Sequence, residues 1–75
     1  MKILVFGMLV EDVGSEELQI ELQPDLETLR EELMEKFPGL KNRQFMIAVN
    51  QQKINGNITL NANDEIALIP PFAGG

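Results

Sequence analysis

Apolar and polar positions along the chain fall into two different periods. Residues 2–9 form an apolar run with β-branched and aromatic members, closed by Glu11-Asp12-Val13-Gly14-Ser15, which predicts a strand followed by a loop. Residues 17–23 alternate: Leu18, Ile20 and Leu22 face one way, and Gln19, Glu21 and Gln23 the other. That period of two predicts a half-buried strand, paired with the first as a hairpin. After Pro24 the period lengthens. Leu26, Leu29, Leu33 and Phe37 recur at helical spacing with Met34 widening the stripe, Asp25 stands where a helix cap belongs, and Pro38-Gly39 ends the segment. Residues 44–50 predict a third strand, Asn50-Gln51-Gln52 a turn, Lys53-Ile54 a short return strand, residues 60–64 a turn-rich stretch, and residues 65–69 the last strand.

One helix among four or five short strands buries its stripe by lying across a sheet. The order strand, strand, helix, strand, short strand, strand suits an α+β fold of the β-grasp type, a mixed sheet with one main helix packed across one face and the first and last strands parallel at its centre. Polar residues at the strand ends assign the faces by alternation. Lys2, Asn50 and Glu65 point away from the helix, so the inward set is Ile3, Val5, Leu18, Ile20, Leu22, Phe45, Ile47, Val49, Ile66 and Leu68. The outward set is then Leu4, Phe6, Met46, Ala48, Ala67 and Ile69, which is apolar for an uncovered face. Three readings stay open: a partner surface, loops that cover the face, or a one-residue slip that exchanges the two sets.

The last strand runs into Pro70-Pro71-Phe72-Ala73-Gly74-Gly75. Prolines cannot extend a strand ladder and hold the chain stretched, and Ala-Gly-Gly removes bulk. Residues 71–75 reach roughly 17 Å when fully extended. A stiff stem with a thin tip suits entry into a narrow channel; a frayed or artificial end has the same composition. The expected division is a folded domain over residues 1–70 and a flexible tail over residues 71–75.

Composition narrows the chemistry. The 75 residues make one small domain, which buries only roughly 60% of its unfolded surface and leaves little room for a deep pocket. The net charge of −6 disfavours nucleic acid; the excess of acids serves either solubility or a basic partner surface. With no Cys and no His, disulfides, thiolate or imidazole metal sites and Cys–His or Ser–His catalysis within the chain are excluded. Glu27, Glu31 and Glu35 form an acidic stripe that reads as the solvated helix face. No run reaches the ~20 apolar residues of a membrane helix, and the expected compartment is the cytoplasm.

The ending Asp64-Glu65-Ile66-Ala67-Leu68-Ile69-Pro70-Pro71-Phe72-Ala73-Gly74-Gly75, with residues 2–6, Ala48-Val49-Asn50-Gln51 and the helix between, resembles the small subunit of molybdopterin synthase, a ubiquitin-like β-grasp sulfur carrier whose tail reads Pro-Pro-x-x-Gly-Gly. The resemblance implies that the chain is not an enzyme alone but the sulfur-donating subunit of a sulfurtransferase. A ubiquitin-activating-type adenylyltransferase uses ATP to adenylate the Gly75 carboxylate, and sulfur replaces AMP to give a thiocarboxylate. The tail, Pro70 through Gly74, then enters the large subunit, where sulfur passes to a cyclic pterin phosphate. It also implies a heterotetramer of two large and two small subunits, no cofactor or metal on this chain, and partner contacts through Phe6 and Ile69. Two positions depart from the family: Val10, where Arg is common, and Lys53, where an apolar residue is expected; both bear on docking. Other readings of the same tail are a carrier for another pathway such as thiamin synthesis, a protein modifier joined through Gly75, or a binding module with an idle tail.

Overall fold

In a computed structural model, which describes residues 1–71, β1 (Lys2–Val5), α1 (Leu9–Val13), β2 (Glu17–Gln19), α2 (Leu26–Lys36), a 3₁₀ helix (Pro38–Asn42), β3 (Met46–Val49), β4 (Gln52–Lys53) and β5 (Ile66–Ile69) follow in chain order. The five strands make one mixed sheet in the order β2-β1-β5-β3-β4. β1 and β5 run parallel in the interior of the sheet, Leu4 opposite Ala67, and the other pairs are antiparallel. Leu26, Leu29 and Leu33 of α2 join Ile3, Val5, Ile47, Val49, Ile66 and Leu68 in a single buried cluster, so the helix covers one sheet face as the periodicity requires. This is the β-grasp arrangement.

Local chemistry explains where the elements begin and end. The Asp25 carboxylate accepts the Thr28 N–H at 2.9 Å, capping α2, and Leu26 N–H donates to Ile58 O at 2.9 Å. The Asn57 side-chain oxygen takes the Glu27 N–H at 2.9 Å, so the loop before β5 also satisfies the free donors of the helix start. β3 and β4 are joined by Asn50 and Gln51, both at positive φ (53° and 69°), the geometry of a two-residue hairpin whose twist matches its strands. The Asn50 side chain then ties β3 to β5: its amide donates to Asp64 at 3.0 Å and its oxygen accepts the Glu65 N–H at 2.9 Å.

Three expectations need correction, and a fourth holds with an addition. The apolar run over residues 2–9 is not one strand. β1 stops at Val5, and residues 9–13 coil into α1, which buries Leu9 and ends at Gly14 in the left-handed region. The strand drawn over residues 17–23 keeps only residues 17–19, and Leu22, placed in the core, is 48% exposed. Beyond Pro24 the chain must turn into α2, so the alternation outlasts the pairing. Pro38-Gly39 does end α2 but goes on into the 3₁₀ helix, with Pro38 in its first turn and Leu40 buried. Leu60, read as part of a turn, is buried, held by its N–H on Pro24 O at 3.0 Å.

Candidate functional site

The face of the sheet away from α2 carries the outward set. Leu4, Met46, Ala67 and Ile69 are half-buried and Phe6 is 48% exposed, whereas their neighbours Ile3, Val5, Ile47, Ile66 and Leu68 are buried on the other side. Alternation therefore assigned the faces of β1, β3 and β5 correctly. Ala48 stands on the outer face but is only 4% exposed. It sits between Ala67 of β5 and Lys53 of β4, paired with both.

These residues enclose a shallow cavity of about 380 Å³, lined by Leu4, Phe6, Ala48, Ala67 and Ile69 with Gln51, Lys53 and Glu65 at its polar margin. Met46 lies beside Ile69 across the β3–β5 pair but not in the cavity wall. Lys53 is thus placed where it can meet a carboxylate on whatever covers the face, and Glu65 where it can meet a cation. Val10 is elsewhere: it is half-buried on α1 and packs against the core. A second recess of about 250 Å³, lined by Lys2, Leu4, Ala62, Asn63, Asp64 and Glu65, continues the same face past the start of β5.

Tertiary structure adds a device at the root of the tail that no periodicity announces. Val5 pairs with Leu68, and the Phe6 N–H donates to Leu68 O at 3.1 Å, so β1 accompanies β5 to its end. There Gly7 turns away at φ +60°, and Pro70 lies buried against it. Pro71 is exposed. Phe72, Ala73, Gly74 and Gly75, assigned to the tail and its reacting end, lie outside the described residues.

Two carboxyls are held below their ordinary range. Hydrogen bonds from the Thr28 hydroxyl, the Thr28 N–H and Asn57 lower Asp25, and the Asn61 N–H and the Asn50 side chain lower Asp64. Both are structural caps, poised for ionisation and not for proton transfer at neutral pH. Among the described residues, no group of three or more acids gathers in a way that could hold a metal ion, and no helix is long and apolar enough to cross a membrane. The chemistry such a surface supports is recognition: an apolar face beside the end of the last strand.

The comparisons bear on family and fold. The pattern of the ThiS family matches residues 3–75. The molybdopterin synthase sulfur carrier subunit of Caenorhabditis briggsae is 37% identical over 100% of this chain and 96% of its own length. That of Dictyostelium discoideum is also 37% identical, over 99% and 94%. Among solved structures, a molybdopterin converting factor, subunit 1, from Pyrococcus furiosus superposes with a TM-score of 0.85 at 23% identity, covering 93% of this chain and 94% of that one. Small archaeal modifier protein 1 from Haloferax volcanii superposes at 0.77 with 21% identity, covering 93% and 94%; both likenesses speak to the fold. A family pattern that runs from the first strand to the final glycine, on the ubiquitin-like β-grasp fold that carries it, shows that this chain belongs to the ThiS family.

Proposed function

We propose that this chain is the sulfur carrier subunit of a molybdopterin synthase, working in molybdenum cofactor biosynthesis through its C-terminal carboxylate. The observation that carries this reading is similarity along the whole length, at 37% identity, to relatives that bear that function. The physical chemistry is compatible with it. A carboxylate is a poor acyl donor until a good leaving group is attached, and a chain without Cys cannot then attack its own activated terminus through a thiol. On this reading activation falls to a partner. An adenylyltransferase of the ubiquitin-activating type would join AMP from ATP to Gly75 with release of pyrophosphate, and a sulfur donor would displace AMP to leave the thiocarboxylate.

The carrier would next dock by its open face, Leu4, Phe6, Met46, Ala48, Ala67 and Ile69, on the large subunit of the synthase. There the tail, Pro70 to Gly75, would deliver sulfur to a bound cyclic pterin phosphate, in an assembly of two carriers and two large subunits. Dependence on ATP suits the cytoplasm. Gly74 and Gly75 offer no side chain to obstruct a partner's groups around the terminal carbonyl.

Intact mass measurement after incubation with a matching activating enzyme, ATP and a sulfur source tests this. The expected product has one oxygen replaced by one sulfur, and deletion of Gly75 abolishes it. An unchanged mass with a demonstrably active enzyme would make the face a plain binding surface. Lysine-linked conjugates in cell extract would instead move the reading to a protein modifier. Formation of the thiocarboxylate without any delivery to a large subunit would move it to a carrier for another pathway, thiamin synthesis among them.

A further inference from the structure

We infer that Gly7 is a positioning residue for the C-terminal tail, acting through a contact with Pro70 that fixes the direction in which the tail leaves the sheet; the functional part of this inference rests on the sulfur-carrier reading above. A Cβ built on Gly7 would lie 2.6 Å from Pro70 Cγ and 3.5 Å from its Cδ. The pyrrolidine ring therefore occupies the space that any other residue's side chain would claim. The φ of +60° at Gly7 is a second constraint that disfavours side chains there.

The wall behind Gly7 is anchored. Gly7 O accepts the Val10 N–H at 3.1 Å as α1 begins, Leu9 is fully buried, and Asp12 of α1 is held by Arg43 at 2.6 Å. On the other side, Leu68 O is fixed by the Phe6 N–H. A side chain at position 7 thus displaces Pro70, the last buried residue before the exposed Pro71. A shift of Pro70 carries the exposed Pro71 with it, and so changes where and in which direction the chain leaves the sheet. Misplacement by about 1 Å can cost up to a hundredfold in rate.

The test uses Gly7→Asn, Gly7→Ala, Pro70→Ala and the double variants in the full-length chain. Asn tolerates positive φ better than Ala but still carries a Cβ, so it separates collision with Pro70 from backbone strain. With saturating large subunit, the expected rate of sulfur transfer from Gly7→Asn is lower by about tenfold or more, while affinity for the large subunit changes less than about threefold. Adding Pro70→Ala, which removes the struck atoms, restores the rate to that of Pro70→Ala alone. A Gly7→Asn variant that is less stable yet transfers at the wild-type rate would overturn the inference, as would the absence of rescue.

A second readout needs no enzyme. A spin label on an introduced Ala73→Cys reports the tail direction through the backbone amides it broadens. The broadened set is expected to move in Gly7→Asn and to move back with Pro70→Ala. If the position-7 variants do not fold, Pro70→Ala alone is expected to spread the broadening over a wider set of amides. An unchanged pattern in the folded variants overturns the positioning role. A wild-type chain that carries no sulfur overturns the functional reading separately and leaves the spin-label result to decide the geometry.

Discussion

At the scale of single residues, burial and not hydrophobicity decides what a substitution costs. Leu33 and Leu22 are the same amino acid on amphipathic segments, yet Leu33 is fully buried on α2 and Leu22 is 48% exposed past the end of β2. Truncating Leu33 to Ala removes packed methyl groups and leaves a cavity, a loss expected at about 2–5 kcal/mol. Leu22→Ala should change stability by no more than about 0.5 kcal/mol. Urea unfolding of the two variants measures both; a Leu22→Ala loss as large as that of Leu33→Ala would show that residues 20–23 pack more tightly than described. Phe6 is the converse case, a large apolar side chain left exposed on the open face. Phe6→Asp is expected to keep the melting temperature within a few degrees while weakening binding to the large subunit by about tenfold or more, as for an aromatic interface anchor, measured by calorimetric titration.

At the scale of elements, two carboxylates set the response to acid. Asp25 caps α2 and Asp64 closes the loop that leads into β5, and both fold into states whose carboxyls lie below their ordinary value of 3.8. Each therefore contributes stability that is present in full above pH ~4, where the unfolded carboxyl is also ionised. That contribution is lost as pH falls through the lowered folded values. Asn accepts the same N–H hydrogen bond without titrating. Asp25→Asn and Asp64→Asn should therefore lie close to wild type at pH 7 and lose less stability on acidification. Urea midpoints followed from pH 7 to pH 2 test this, and acid limbs as steep as wild type in both variants would place the acid sensitivity elsewhere.

At the scale of the whole molecule, charge and surface divide the labour of recognition. On the proposed docking, the net charge of −6 would favour rapid encounter with a basic partner, and the apolar cavity would supply contact once the two meet. Raising ionic strength to 0.5 M should accordingly slow association with the large subunit several-fold and leave dissociation nearly unchanged, since salt screens long-range attraction more than close packing. Stopped-flow measurement at graded salt separates the two rates. An association rate indifferent to salt would leave the acids a role in solubility alone. Lys53, at the margin of the cavity, adds one local cation to this acidic chain. Its replacement by Leu, the kind of residue expected from the family pattern, should show whether it selects a partner bearing a matching carboxylate.

Much of this architecture was legible because it depends on short-range order. The cap at Asp25, the apolar stripe of α2, the turn at Asn50 and Gln51, and the two faces of β1, β3 and β5 follow from periods of 3.6 and 2 and from backbone preferences within a few residues. The tail, too, was visible as composition. What the chain left open depends on partners distant in sequence. Residues 2–9 are apolar throughout, and only the space above the parallel β1–β5 pair decides that the ladder stops at Val5 and that Leu9 reaches the core from a helix. Leu22 continues the alternation but has no paired strand residue beside it, and Leu60 is held at the core by its N–H on Pro24 O, just before α2. Gly7 is separated from Pro70 by 63 positions, and a glycine there means little until the fold presses a proline ring against it. Sequence by itself determined the main helix, the strand faces and the order of the strands; tertiary structure decided where the strands end, which apolar residues are covered and what packs at the end of β5, because burial and close approach are properties of segments brought together in space.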